Sequence, residues 1–190
     1  MAVTSTMMDL GTPAPDFALP EVTEGITVRR DDLDGDVLVV MFLCRHCPYV
    51  VHVQDELARV VRDYRDASVS FVGISANDPE AYPDDAPAGL AGQKEEVGFA
   101  FPYLFDETQQ VARAYGAACT PDFFVFDAER RLAYRGRMDE TRPGGEAPTG
   151  ADLRAAIETV EAAGLDAVDV SYERDEWHEA FLRPSQVGGI

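Results

Sequence analysis

Apolar positions follow two rhythms along this chain. Val37–Leu43 is an unbroken apolar run, largely β-branched, with the length of one strand and no polar face. That is the pattern of a central strand covered on both sides. Val69–Ser75 reads as a second buried strand. Between them Val50, Val53, Leu57, Val60, Val61 and Tyr64 recur at helical spacing, while Gln54, Asp55, Glu56, Arg59 and Asp63 fill the other side. This predicts an amphipathic helix of about five turns.

Around that centre, Gly11–Pro20 is an extended lead-in with Pro13, Pro15 and Pro20 around Phe17 and Leu19. Val28 and Leu33 suggest a short strand and turn. Asn77–Gly89, which carries Pro79, Pro83 and Pro87, reads as a loop. Helical residues return over Leu90–Val97. An extended segment is expected at Phe101–Phe105, a helix at Glu107–Tyr115, and a hairpin of Phe123–Phe126 with Leu132–Gly136 around a turn at Ala128–Arg131. Asp152–Ala163 closes the pattern as a helix with Leu153, Ile157 and Val160 on one face. The order β-α-β-α-β-β-α implies an α/β protein with a mixed central β-sheet flanked by α-helices. Residues 1–165 are expected to form one domain with an extended N-terminal lead-in, and residues 166–190 a C-terminal extension.

Composition changes this picture in one respect. The 190 residues are 46% hydrophobic, ordinary for a globular domain, but 35 acidic residues face 16 basic ones for a net charge of -19. Lys94 is the only lysine. Such a surface repels phosphates and anionic lipid, so nucleic acid and membrane are not expected as partners. The acids are spread along the chain, which favours a solvated coat over a docking patch for a basic partner. An acidic, lysine-poor composition resembles that of proteins from salt-loaded, halophilic cytoplasm. Met1–Leu10 has no basic n-region followed by an apolar core, and Val37–Leu43 is far too short to span a bilayer. A cytoplasmic location is therefore expected.

The candidate chemistry lies at Cys44-Arg45-His46-Cys47-Pro48, between a buried strand and a long helix. A thiol at a helix N-terminus faces unpaired N–H groups and the positive end of the dipole, and both favour the thiolate. Cys44 is expected as the more exposed, attacking thiolate, with Arg45 and His46 stabilising it. Cys47, one turn in, is expected as the buried resolving thiol, and Pro48 fits the first helical turn. A structural zinc site needs four ligands. Only Cys44, Cys47, Cys119 and a histidine offer themselves, and there is no second C-x-x-C. The preferred reading is therefore a redox-active thiol–disulfide pair with no metal and no cofactor. A non-catalytic interaction domain whose cysteines are incidental or bind metal is the alternative from another class.

Thr120-Pro121 is a plausible cis peptide whose backbone would border a substrate groove. Cys119 is a possible third thiol, with a small buried core residue the preferred reading. His52 is expected to pair with Glu56 on the polar side of the long helix. Trp177 is expected to cap the core.

The runs Phe42-Leu43-Cys44-Arg45-His46-Cys47-Pro48-Tyr49-Val50, Ile74-Ser75-Ala76-Asn77-Asp78, Phe101-Pro102-Tyr103-Leu104 and Tyr115-Gly116-Ala117-Ala118-Cys119-Thr120-Pro121-Asp122-Phe123-Phe124, with the opening Gly11-x-Pro13-x-Pro15-Asp16-Phe17-x-Leu19, resemble the peroxiredoxin-like branch of thioredoxin-fold proteins, the alkyl hydroperoxide reductase/thiol-specific antioxidant family. The resemblance covers about residues 10 to 163. It implies a thioredoxin-like fold and thiol–disulfide oxidoreductase activity in redox homeostasis, with protein disulfides as substrates and a thiol or protein electron donor. By the same resemblance Cys44 aligns with the attacking cysteine of thioredoxins and Cys47 with the peroxidatic cysteine of peroxiredoxins. Where peroxiredoxins carry a threonine and a proline, this chain has Cys44 and Val40, so the hydroxyl that orients a peroxide is missing and antioxidant peroxidase activity is the runner-up. Where thioredoxins carry a buried acid, this chain has Leu38, so another group or water must handle the proton of the resolving thiol.

If the charge is a coat adapted to high ionic strength, screening should relieve self-repulsion, since the Debye length falls to about 3 Å at 1 M salt. The thermal unfolding midpoint should rise from low salt to molar KCl. A flat or falling midpoint would return the acidity to the search for a basic partner.

Overall fold

A computed structural model describes residues 8–117 and 119–163. The C-terminal extension expected at 166–190, with Trp177, lies outside them. The elements run β1 (Ala18–Pro20), β2 (Thr27–Arg29), β3 (Val37–Phe42), α1 (Pro48–Asp63), β4 (Val69–Ser75), α2 (Pro87–Val97), β5 (Tyr103–Phe105), α3 (Gln110–Ala114), β6 (Asp122–Phe126), β7 (Leu132–Gly136) and α4 (Ala151–Ala163), with short 3-10 turns at Arg30–Asp32 and Pro83–Asp85. The main sheet has the order β5-β4-β3-β6-β7. β3 is parallel to β4 and antiparallel to β6, and β6 pairs antiparallel with β7. This is the mixed sheet the element order implied, and it has the thioredoxin-like arrangement.

β3 is central because all six of its side chains can be buried. Val37, Val39 and Met41 enter one core with Val50, Leu57 and Val60 of α1 and Leu153, Ile157 and Val160 of α4. Leu38, Val40 and Phe42 enter the other, with Phe17, Val28, Leu33, Ala112 and Tyr115. The period-two alternation of a strand therefore sorts one apolar run into two layers. Among the described residues, no helix is long and apolar enough to cross a membrane.

Some expectations shift. The lead-in is not merely extended: Ala18–Pro20 pairs with Thr27–Arg29 as a two-stranded sheet. The helix expected at Glu107–Tyr115 is confined to Gln110–Ala114, because Gln109 adopts a left-handed φ of 60° and the Asp106 carboxylate accepts the Ala112 N–H at 2.9 Å. His52 does not pair with Glu56; its Nε2 meets Thr141 Oγ1 at 2.9 Å. Glu56 is buried instead between Arg59 and Arg154.

Beneath β6 and β7, Arg135 and Asp122 are 3% exposed each and bonded at 3.0 Å. The guanidinium also donates to the Gly116 carbonyl at 2.7 Å and lies 4.7 Å from the centre of the Phe124 ring. Removing one partner of a buried ion pair strands the other charge, at a cost of about 3–5 kcal/mol. Arg135→Met should lower the unfolding free energy by that amount, read in urea as a lower midpoint at an unchanged m value, and adding Asp122→Asn should recover part of the loss. An Arg135→Met protein as stable as the parent would show that the pair is not a structural element.

Candidate active site

The Cys44–Cys47 loop joins the end of β3 to the start of α1. Pro48 occupies the first helical turn as expected, and Cys47 is the N-cap, with extended φ/ψ of -66° and 123°. Cys44 still belongs to the strand side of the junction. The preceding Leu43 N–H continues the sheet by donating to the Ile74 carbonyl at 2.9 Å, and both Leu43 and Cys44 are fully buried.

What fixes the loop is a carboxylate from elsewhere. Asp85, fully buried in the Pro83–Asp85 turn, accepts the backbone N–H groups of Arg45 at 2.7 Å and His46 at 3.1 Å on Oδ1. Its Oδ2 lies 2.5 Å from His46 Nδ1 and accepts from Asn77 Nδ2 at 2.6 Å. The turn is pressed onto α2 at Gly89, where a Cβ would stand 2.1 Å from the Asp84 carbonyl oxygen, so no side chain fits there. Gln93 of α2, also buried, donates to the Cys44 carbonyl at 3.3 Å and accepts from Tyr103 Oη at 3.3 Å.

The two sulfurs are unequal in the opposite sense to the expectation. Cys47 is partly exposed and Cys44 is buried. The helix starts at Cys47, so Cys47 receives the terminal N–H groups, while Cys44 is still packed in the core. Cys47 is lowered to about 6, chiefly by the hydrogen bond from the Cys44 thiol, with burial opposing and the Val50 N–H, Thr120 and the Tyr49 N–H assisting. Cys44 is pushed far above the ordinary thiol range by that same hydrogen bond to Cys47, by burial and by the nearby Asp85 charge. The pair ionises at Cys47 first and keeps its proton on Cys44.

The expected thiolate-stabilising groups also move. The Arg45 guanidinium turns away from the sulfurs, to the Gly89 carbonyl at 2.6 Å and Glu96 at 3.0 Å. His46 serves Asp85 and stacks on Tyr82, with ring centres 3.9 Å apart and planes 6° from parallel. Thr120 joins the site through its side chain as well as its backbone: Oγ1 lies 3.2 Å from Cys44 Sγ, and the carbonyl accepts from Cys47 Sγ at 3.4 Å. In the reduced pair the Cys47 thiol thus occupies one acceptor position of that carbonyl. The Thr120-Pro121 bond is cis, and Pro121 is partly exposed beside the pair. Cys119 is buried at 4% exposure, which fits the core reading.

Asp85, Asn77 and Gln93 are the site residues that sequence reasoning passed over. The signal for Asp85 was an acid just ahead of Pro87, the first residue of α2. An acid there reads as a helix cap, whereas this one caps a loop 40 residues upstream. The ligand atoms of Cys44, His46 and Asp85 lie within 4.8 Å of one another, a set of sulfur, nitrogen and oxygen donors able to approach a metal ion.

Comparison with known proteins agrees with the fold. The AhpC/TSA family model matches residues 10–135. A crystal structure of an uncharacterised conserved protein from Geobacillus kaustophilus is 50% identical, with a TM-score of 0.80, covering 84% of this chain and 85% of that one. The thiol:disulfide interchange protein DsbE of Allochromatium vinosum is 29% identical over 127 residues, 65% of this chain and 64% of that protein. Protein FixW of Rhizobium leguminosarum is 25% identical over 140 residues, 70% of this chain and 63% of that protein. The match thus spans just under two thirds of the length of these two curated relatives.

A thiol lowered by folding contributes stability that is fully present above the unfolded pKa, near ~8.5, and is lost as pH falls through the folded value. The alkylation rate of Cys47 should therefore fall off near pH 6 in the reduced protein. Its stability advantage over Cys47→Ser should shrink as pH drops across that same window. Cys44→Ala, which removes the principal donor, should move the alkylation midpoint up toward the ordinary thiol value, and Cys44→Ser should move it less. A midpoint unchanged by Cys44→Ala would remove Cys44 as the cause.

Proposed function

This chain belongs to the AhpC/TSA family, and on that premise we propose that it is a thiol–disulfide oxidoreductase in which Cys47 attacks and Cys44 resolves. The observation that carries the reading is the asymmetry of the pair. One sulfur is accessible at the N-terminus of α1, and the other is held behind it as a protonated hydrogen-bond donor. The name of the DsbE relative, a thiol:disulfide interchange protein, supports the same chemistry.

In the first step the Cys47 thiolate attacks one sulfur of a substrate disulfide. A Cys47–substrate disulfide forms and the other substrate sulfur leaves as a thiolate. In the second step Cys44 gives up its proton and attacks the Cys47 sulfur. The substrate's second sulfur leaves, and the Cys44–Cys47 disulfide holds the product of a two-electron oxidation. The His46–Asp85 pair, within 4.8 Å of the Cys44 sulfur, is the proton acceptor in reach, in the place of the acid that Leu38 does not supply. An external thiol or protein donor returns the pair to the dithiol. The acidic, lysine-poor surface supports a salt-rich cytoplasm as the setting.

A second reading is favoured by the same placement of Cys47, the thiol that a peroxidase of this family would use. Peroxide would convert Cys47 to a sulfenic acid, releasing water, and Cys44 would condense with it. Trapping separates the two. A Cys44→Ser protein should accumulate mixed disulfides with client proteins through Cys47, and dithiothreitol should dissolve them. A Cys47→Ser protein should not accumulate them. If Cys44→Ser instead collects a dimedone-reactive Cys47 sulfenate at micromolar peroxide and no adducts, exchange gives way to peroxide reduction.

A further inference from the structure

We propose that the reduced protein carries a zinc site formed by Cys44 Sγ, a ring nitrogen of His46 and a carboxylate oxygen of Asp85. The proposal needs Cys44 reduced but does not depend on the exchange reaction. On the sequence alone a zinc site fails because no second C-x-x-C supplies the remaining donors. The fold adds one that the sequence hides: Asp85, brought in by the turn before α2. The three donor atoms already lie within 4.8 Å of one another. Zinc bonds of about 2.0–2.3 Å set tetrahedral donors roughly 3.3–3.7 Å apart, so the His46–Asp85 contact must open by under ~1 Å and the Cys44 sulfur close in by about 1 Å.

Charge and surroundings point the same way. Asp85 and Cys44 are both fully buried. The permanent cation nearest in sequence, Arg45, is committed to Glu96 and the Gly89 carbonyl. The charge partner on Asp85 is then His46, whose imidazole is charged only when protonated. A divalent ion would balance one carboxylate and one thiolate together. In binding, the ion takes the place of the proton between His46 Nδ1 and Asp85 Oδ2, and the Cys44 thiol releases its proton to solvent. No electrons move.

The supporting shell is in place. Asn77 donates to Asp85 Oδ2 at 2.6 Å, the Arg45 and His46 N–H groups fix Oδ1, and Tyr82 stacks on the imidazole. Outer partners of this kind orient ligands and raise affinity. Three protein ligands of mixed S, N and O type leave the fourth tetrahedral position to water, and this donor set suits zinc over hard cations. Cys47 stays outside the ligand set, so the site differs from simple chelation by a C-x-x-C pair. Oxidation of Cys44 and Cys47 to their disulfide, with the two electrons passing to a substrate disulfide, removes the sulfur ligand and with it the site.

Cobalt(II) and zinc(II) titrations of the full, reduced chain test this, with competition by a chromophoric chelator. One equivalent of cobalt should bind with thiolate-to-cobalt charge-transfer absorption, zinc should displace it, and protons should be released. Asp85→Asn and His46→Gln should each weaken zinc at least ~10-fold, Cys44→Ser should abolish the charge-transfer band, and Cys47→Ser should hold affinity within a few-fold. His46→Gln, at a partly exposed ring, keeps the test valid if Asp85→Asn unfolds the loop. Absence of binding would overturn the site. So would binding that needs both cysteines but is indifferent to Asp85 and His46.

Discussion

A single carboxylate organises this site. Asp85 Oδ1 takes the backbone N–H groups of Arg45 and His46, the two residues between the cysteines, and holds them from a turn in another part of the chain. A four-residue loop at the mouth of a helix would otherwise carry unpaired donors, and buried unpaired donors are costly. With both donors satisfied from one side, the loop has one conformation. The Cys47 N-cap, the His46 ring over Tyr82 and the burial of Cys44 all depend on it. The close approach at Gly89 then anchors the carboxylate itself, by seating its turn on α2.

From that constraint follows the inequality of the sulfurs. Only two residues separate them, but they lie in different environments. Cys44 extends the packing of β3, with Gln93 on its carbonyl and Thr120 on its sulfur. Cys47 lies where the helix exposes its unpaired N–H groups. The protein needs no arginine or imidazolium beside the thiolate, because the neighbouring thiol and the helix terminus act on it directly. A proton-holding partner and an accessible anion are the minimum that two-step sulfur chemistry requires.

Much of this was legible in the chain. Val69–Ser75 and Leu132–Gly136 appear as strands with the bounds their apolar patterns indicate, because a buried strand leaves little room for alternatives. The cysteine pair, Pro48 and Thr120-Pro121 announce themselves by residue type. The order of the sulfurs was not legible, since it turns on whether the helix begins at the first cysteine or the second. Apolar spacing does not resolve three residues at an element boundary. Asp85 was hidden for another reason. In a chain with 35 acids, one more acid in a proline-rich loop carries no mark of its burial. Only the tertiary contact between segments distant in sequence singles it out.

The lead-in ahead of β3 has a role beyond covering one face of the core. Gly11 and Ala14 donate backbone hydrogen bonds to the Leu132 and Arg130 carbonyls, and Leu132 donates to Thr12, at one margin of the sheet. Past β1 the same segment reaches the opposite margin, where Glu21 bridges to Leu104 and Val22 donates to the Tyr103 carbonyl. A five-stranded open sheet has two raw edges, each a template for another chain. Here one strap occupies part of both, and the pairing of Lys94 with Glu21 pins its far end. Colloidal stability in this protein is thus written into backbone pairing as well as into surface charge, so it persists in salt strong enough to silence electrostatic repulsion.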